Sequence, residues 1–102
     1  NLLHRLNRDV GSDFDPASFA HRARYLPDEG RIVTTLESLR AQVVTVEGRR
    51  FAFAQGEQMH VEQSQKYTDA RIAALAADAG LRVAAAWNDP RDWFGLRLLR
   101  PA

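Results

Sequence analysis

Residues 56 to 67 read Gly56-Glu-Gln-Met-His-Val-Glu-Gln-Ser-Gln-Lys-Tyr67 and form a polar block between two apolar elements. The strand-like Phe51-Ala-Phe-Ala54 precedes the block, and an alanine-rich helix is predicted to follow it from about Thr68. Packing alone does not call for so many hydrogen-bonding groups at such a junction. Because α/β proteins build ligand sites at the ends of strands, the block is the first candidate site.

The spacing within the block predicts which of its side chains act together. In an extended segment His60, Glu62 and Ser64 project from one face, because side chains alternate sides with a period of two. That face offers a carboxylate acceptor and a hydroxyl, enough to bind a small polar heterocycle. An alternative stays open, in which Ser64 or Thr68 caps the helix and the rest of the block is solvated loop.

Before the block, the sequence predicts helical residues and then a run of antiparallel strands over residues 21 to 63. A first helix ends at Gly11, and Asp15-Pro16 begins a short helix through about Ala20. Turn residues at Pro27–Gly30 and at Glu47-Gly48 separate the strands. The predicted strands are Arg22–Tyr25, Arg31–Leu36, Gln42–Val46 and Arg50–Phe53.

After the block, one helix and two strands are predicted. Thr68-Asp69 starts the helix, and Gly80 follows its last turn as the C′ residue. The strands are Leu81–Trp87 and Trp93–Leu99, around a turn at Asn88–Asp92. The fold class is therefore α+β: an antiparallel sheet module joined to a helix and a closing antiparallel strand pair, as at the end of a Rossmann-like sheet.

Composition sets the class of protein and excludes several functions. The 102 residues carry a net charge of +1, with 14 Lys and Arg scattered among 13 Asp and Glu, so no nucleic-acid partner is expected. No apolar run approaches the roughly 20 residues of a membrane span, so no membrane partner is expected. The absence of cysteine is compatible with the cytoplasm. The chain opens within a helical pattern, which is typical of a segment cut from a longer protein.

Common catalytic and metal motifs are missing. His4, His21 and His60 lie far apart, without the close pairs of a zinc site, so no metal is predicted. There is no Gly-x-Ser-x-Gly, Gly-x-Gly-x-x-Gly or P-loop, so no acyl-transfer elbow and no cofactor cradle are predicted within this chain. The aromatic residues of the strand-like runs are expected in the core: Phe51, Phe53, Trp87, Trp93 and Phe94.

An ordered set of short motifs resembles the C-terminal third of the histidine-specific, S-adenosylmethionine-dependent methyltransferases, the family that makes trimethylhistidine for ergothioneine biosynthesis. The similarity extends over essentially the whole chain, to Asp78-Ala79-Gly80, Trp87-Asn88-Asp89 and Phe94. The motifs that carry it most clearly are Asn7-Arg8, Asp13-Phe14-Asp15, Phe19-Ala-His21, Arg31-Ile32, Gly56-Glu57, Glu62, Ser64 and Lys66-Tyr67.

The resemblance implies a division of the chain and a place for the cofactor. Residues 1–64 correspond to the second segment of a substrate-binding domain, and residues 65–102 to the last helix and two closing strands of the methyltransferase domain. S-adenosyl-L-methionine is then bound by an N-terminal part outside these residues. This chain alone is expected to be inactive.

The resemblance also implies site residues and chemistry. Glu62 and Ser64 correspond to the residues that hold the imidazole of histidine, whose α-amine is methylated. Thr34 stands where the family has a methionine lining the pocket. A smaller, polar residue there enlarges and wets the pocket, which leaves another amino acid such as tryptophan as an alternative substrate. A second alternative is a non-catalytic binding or assembly module, and the unpaired sheet edge of a fragment predicts self-association.

Overall fold

The computed structural model describes residues 1–102, which divide into two compact units, Asn1–Gln65 and Lys66–Ala102. Antiparallel strand pairs and two α-helices confirm the α+β class. Neither helix has the length and apolarity needed to cross a membrane. The elements are α1 (Leu2–Asp9), a 3-10 helix (Pro16–Ser18), β1 (Phe19–Leu26), β2 (Arg31–Ser38), β3 (Gln42–Val46), β4 (Arg49–Phe53), β5 (Gln58–Gln65), α2 (Asp69–Asp78), β6 (Leu81–Asn88) and β7 (Gly95–Pro101).

The first unit contains a three-stranded antiparallel sheet in the order β1-β2-β5 and a separate hairpin of β3 and β4. The hairpin turn has positive φ at both central residues, 49° at Glu47 and 78° at Gly48. Such a turn matches the twist of the strands that it joins. The predicted turn and all four predicted strands of this unit are therefore confirmed, and most of the polar block forms a fifth strand rather than a loop.

A β-bulge interrupts the pairing of β2 and β5. Thr34 lies opposite Glu62, and the next residue, Thr35, lies opposite His60, so Val61 is an extra residue in β5. Because directly opposed residues share a face of the sheet, the extra residue changes which β5 side chains lie together. Met59, before the bulge, lies opposite Leu36 and therefore shares a face with Glu62.

The core of the first unit is a small apolar cluster between α1, the 3-10 helix, the sheet and the hairpin. Leu3, Phe14, Phe19 and Val44 are buried, and Phe53 packs against them half-buried. The rings of Phe14 and Phe19 lie 5.6 Å apart edge to face, and those of Phe19 and Phe53 lie 5.4 Å apart in the same way. Edge-to-face pairs add to the stabilisation from burial.

The start of β1 corrects the predicted short helix. Asp15 caps it as expected, since its carboxylate accepts the Ala17 N–H at 3.2 Å, but only Pro16–Ser18 form a 3-10 turn and the strand begins at Phe19. Phe19 pairs with Ser38 and its ring lies in the core. Pairing and burial at Phe19 therefore end the helix two residues earlier than the local pattern predicts.

Side chains fasten the loop after α1 to its neighbours. The Asn7 amide accepts from the Phe14 N–H at 2.9 Å and donates to the Phe14 carbonyl at 2.8 Å. The Asp13 carboxylate accepts the Thr45 N–H of β3 at 2.6 Å. These two residues, part of the motif that carries the family resemblance, therefore hold α1 and the hairpin in place.

In the second unit, α2 packs on the β6–β7 hairpin. Thr68 caps α2, since its hydroxyl accepts the Arg71 N–H at 3.2 Å, and Gly80 follows the helix with φ +72°. Both features confirm the predicted helix ends. In the loop between the strands, the Asp89 carboxylate accepts the N–H groups of Phe94 at 2.8 Å and Arg91 at 3.2 Å, and these bonds, chiefly the one from Phe94, lower its pKa.

The aromatic residues contradict the expected core except at Phe53. Trp93 and Phe94 lie in the loop before β7 and are 80% and 73% exposed, so the predicted final strand begins two residues later than expected. Phe51 and Trp87 lie on strands but are exposed. Trp87 lies on a two-stranded hairpin, in which alternation leaves one face of side chains uncovered. Phe51 lies opposite the buried Val44, so it is on the core face of its own hairpin but at the margin of the core.

Candidate functional site

An open cavity of about 380 Å³ lies on one face of the three-stranded sheet. This volume is at the small end of the range for ligand sites in proteins. Its lining combines residues of the three strands with α1 and the 3-10 helix: Asn1, Leu2, Leu3, Pro16, Phe19, His21, Thr34, Leu36, Val61 and Glu62.

The polar floor of the cavity is the pair formed by Thr34 and Glu62. The two residues lie directly opposite each other on adjacent antiparallel strands. Side chains of such a pair start about 5 Å apart, so the hydroxyl and the carboxylate can contact one small ligand. Thr34 is half-buried and Glu62 is exposed. The carboxylate is therefore accessible to a ligand that enters the cavity.

Ser64 lies on the same face as Glu62 but outside the lining of this cavity. It is half-buried and lies opposite Ile32, two residues further along β5. Two residues of a strand span about 6.6 Å, so the Glu62 and Ser64 side chains are neighbours on one face. The structure thus brings together all three residues predicted as substrate-binding, with Ser64 at the margin of the group.

His60 is separated from this group, which corrects the predicted face. It lies opposite Thr35, and the Val61 bulge turns it to the opposite side of the sheet from Glu62 and Ser64. The prediction of one shared face for His60, Glu62 and Ser64 assumed uninterrupted alternation along β5. The extra residue in β5 breaks that alternation between His60 and Glu62.

Several walls of the cavity were missed by the sequence reasoning. Leu2 and Leu3, in the first turn of α1, line the cavity, and His21 joins them from β1. His21 alternates with Phe19 along β1 and lies opposite Leu36, so the period-two pattern of this strand could have placed it on the cavity face. The position of α1 had no such local signal.

The arrangement favours binding of an uncharged or cationic heterocycle over metal chemistry. No three His, Asp or Glu side chains of residues 1–102 come close enough together to hold a metal ion. A single carboxylate beside a hydroxyl and an apolar wall can accept a ring N–H and pack against the ring.

The family model for "Histidine-specific methyltransferase, SAM-dependent" matches residues 1–101 of the chain. The chain belongs to this family. The resemblance read from the motifs is thereby confirmed over nearly the full sequence. In this member of the family, Glu62 and Thr34 occupy the floor of the cavity described above.

Two curated proteins of the same name are similar to the chain. It is 40% identical over 100 residues to the Histidine N-alpha-methyltransferase of Mycolicibacterium smegmatis and 36% identical over 100 residues to that of Mycobacterium tuberculosis. Each alignment covers 96% of this chain but 31% of the relative. The chain therefore spans about a third of the length of the curated relatives that it matches.

Proposed function

We propose that the chain is the C-terminal part of an S-adenosylmethionine-dependent methyltransferase that methylates the α-amine of histidine. In this proposal the chain supplies the pocket for the substrate side chain and is inactive by itself. The single observation that carries the proposal is the Glu62–Thr34 pair on the floor of a cavity of about 380 Å³, in a chain of the histidine-specific family.

The pocket residues act by positioning. Glu62 accepts an imidazole N–H in a charge-assisted hydrogen bond, and the Ser64 hydroxyl interacts with the other ring nitrogen. Holding the ring at one end fixes where the α-amine lies at the other. In an in-line displacement such alignment lowers the barrier strongly, by about 7 kcal/mol or more in favourable intramolecular cases.

S-adenosylmethionine supplies the methyl group when it is bound. The chain contains no Gly-x-Gly-x-x-Gly sequence that would cradle this cofactor. We therefore assign the cofactor to a part of the longer protein outside these residues. Successive transfers to one amine yield trimethylhistidine, and the lack of cysteine suits a cytoplasmic enzyme of ergothioneine biosynthesis.

We further assign the two units to two domains of the longer protein. Residues 1–64 form a segment of the substrate-binding domain, and residues 65–102 supply the last helix and closing strands of a Rossmann-like methyltransferase sheet. The hairpin of the second unit supports the assignment. Trp87, Leu96 and Leu98 are exposed on it, and Trp87 lies opposite Leu96. A larger sheet with covered faces accommodates such residues.

Thr34 determines how closely the pocket fits histidine. A threonine leaves more room opposite Glu62 than the methionine of the family and adds a hydroxyl. Tryptophan is therefore the second substrate to compare. Its indole offers one N–H to Glu62 but no second ring nitrogen for Ser64, and a site built around hydrogen bonds discriminates against a ligand that leaves one unmade.

The test is calorimetric titration of the full-length protein with histidine and with tryptophan, each with and without S-adenosylhomocysteine. Mass spectrometry of amino acids incubated with S-adenosylmethionine follows methyl transfer in parallel. Histidine binding in preference to tryptophan, with mass increases of one to three methyl groups, is the expected result.

Each other outcome contradicts the proposal in a different way. Preference for tryptophan overturns the histidine assignment and identifies Thr34 as the changed residue to mutate. Binding of neither amino acid, together with no methyl transfer, overturns the enzymatic proposal and favours a non-catalytic binding or assembly module.

A further inference from the structure

The face of the sheet opposite the Glu62 cavity carries a row of three polar side chains, one from each strand. Arg22 of β1 lies opposite Thr35 of β2, and Thr35 lies opposite His60 of β5. Directly opposed residues share a face, and neighbouring strands lie about 4.8 Å apart. A guanidinium, a hydroxyl and an imidazole therefore stand side by side across about 10 Å.

The Val61 bulge is the reason that the row is complete. Without the bulge, Val61 would be paired like its neighbours, and alternation along the strand would group His60 with Glu62. With it, the pairs Thr34–Glu62 and Thr35–His60 are consecutive on β2 and fall on opposite faces. The same bulge therefore equips both faces of the sheet, one with a carboxylate and the other with an imidazole.

The charge of this second face is mainly positive. Arg24 lies two residues after Arg22 on β1 and therefore on the same face. Arg31 alternates with Thr35 along β2, so it lies on this face too. Two acids offset part of this charge: the Glu37 carboxylate accepts from the Arg22 guanidinium at 3.1 Å, and the Glu29 carboxylate, in the turn between β1 and β2, accepts from Arg31 at 3.2 Å. A face with more guanidinium groups than carboxylates attracts an anion.

A cavity of about 310 Å³ lies over the row. It is separate from the Glu62 cavity, since the sheet lies between them. Gln58 and Thr35 contribute neutral polar groups beside the two arginines. The lining residues are Arg22, Ala23, Arg24, Val33, Thr35 and Gln58; His60 continues the row next to Thr35 and lies outside this lining.

We propose that this second face binds a small oxyanion, a phosphate or carboxylate group, between Arg22, Thr35 and His60. The planar guanidinium presents several N–H donors in a fork that matches two oxygens of one anion. The Thr35 hydroxyl and a ring N–H of His60 donate to the remaining oxygens. Glu37 contacts one terminal nitrogen of Arg22, which orients the guanidinium and leaves other N–H groups for the ligand. This proposal is independent of the histidine pocket.

The experiment is a titration of the full-length protein, labelled with ¹³C at histidine rings, followed by nuclear magnetic resonance. Sodium phosphate and sodium succinate are added separately at fixed pH, with sodium chloride at matched ionic strength as the control. His60→Gln identifies the signal of His60. We expect its ring signals to shift in a saturable way with phosphate, succinate or both, and not with chloride. Saturation by phosphate alone or by succinate alone identifies the source of the oxyanion.

Variants locate the site. Arg22→Gln removes the forked donor and is expected to weaken binding of the saturating anion roughly tenfold, which is the scale of losing hydrogen bonds from a charged group. Thr35→Val, a second and milder change, weakens it less. Arg40→Gln is the matched control, because Arg40 is an exposed arginine whose ion pair is with Asp15 rather than with the row. Glu62→Ala is expected to leave anion binding unchanged.

Three results overturn the proposal. The first is a His60 shift that does not saturate or that chloride reproduces. The second is equal weakening by the Arg22 and Arg40 substitutions, which shows attraction by net charge alone. The third is markedly tighter anion binding in Glu62→Ala, which places the anion in the other cavity, beside the carboxylate that this substitution removes.

Discussion

Replacing Glu62 by alanine removes the carboxylate that lies opposite Thr34 on the floor of the cavity. Losing a hydrogen bond to a charged group costs about 1.5 to 3 kcal/mol. Glu62 is exposed, so water partly replaces the lost partner and the lower half of this range applies. We therefore expect histidine to bind about 2 kcal/mol more weakly, a roughly 30-fold increase in Kd.

The assay is calorimetric titration of the full-length protein with histidine in the presence of S-adenosylhomocysteine. Glu62→Gln retains an acceptor oxygen but loses the charge, so its Kd is expected between those of the wild type and Glu62→Ala. Glu57→Ala is the matched control, since Glu57 is an exposed glutamate in the turn before β5 and lies outside the cavity lining.

The assignment of Glu62 to the histidine pocket is refuted if Glu62→Ala binds histidine within about twofold of the wild type, because a twofold change is well below the loss of one charge-assisted hydrogen bond. It is also refuted if Glu57→Ala weakens histidine as much as Glu62→Ala does. Unfolding midpoints of the three variants, measured in parallel, separate a binding defect from a folding defect.

Four further predictions concern the pocket, the bulge and the second unit. Thr34→Met fills the space opposite Glu62. Calorimetry should therefore show that histidine binds about fourfold more tightly for each additional methylene buried and that tryptophan binds more weakly. Tighter binding of tryptophan would contradict this prediction. Deleting Val61 preserves the pairs on either side of the bulge but straightens β5. Histidine affinity should therefore fall on the order of tenfold or more, with little change in the unfolding midpoint. Unchanged affinity would show that the bulge has no role in histidine binding. Thr68→Ala removes the cap of α2 and should reduce the stability of the helix by about 1 kcal/mol in hydrogen exchange, whereas Thr68→Ser should not. The Asp89 carboxyl should titrate below its ordinary pKa. Its stabilisation of the loop is therefore complete above the unfolded pKa of about 3.9 and is lost as the pH falls through the lower folded pKa. A carboxyl signal that titrates at or above about 3.9 contradicts this prediction.

Local chemistry predicted most of the elements. The strand Gln42–Val46 has the expected bounds, because β-branched residues precede a two-residue turn in which Gly48 takes positive φ. The ends of α2 follow equally from Thr68 and Gly80. In each case the deciding interaction lies within a few residues of the chain.

The predictions were wrong where residues that are far apart in the sequence determine the local structure. The short helix ends before Phe19 because that residue pairs with Ser38 and packs against Phe53, both far along the chain. Trp93 and Phe94 were expected in a strand and in the core, yet both lie in the exposed loop before β7. An apolar aromatic run does not by itself show whether another layer covers it.

The sequence predicted the polar residues of the candidate site but not the residues that form the walls of the cavity. Glu62, Ser64 and Thr34 come from the motif resemblance and from alternation along a strand, and the structure brings them to one face. Their roles in binding stay predictions. The contribution of α1 to the cavity depends on how the loop that contains Asp13 and Phe14 folds back onto Asn7 of α1, which no local pattern shows.

The amino-acid sequence by itself determined the types of element, the turns, the family and the three residues of the proposed pocket, because each depends on neighbouring residues or on an ordered set of motifs. Only the tertiary structure decided on which side of the sheet each polar residue of β5 lies. The extra residue Val61 is defined by the pairing of β5 with β2, about thirty positions earlier, and alternation along β5 carries no sign of it. That pairing separates His60 from Glu62 and gives the sheet two different polar faces.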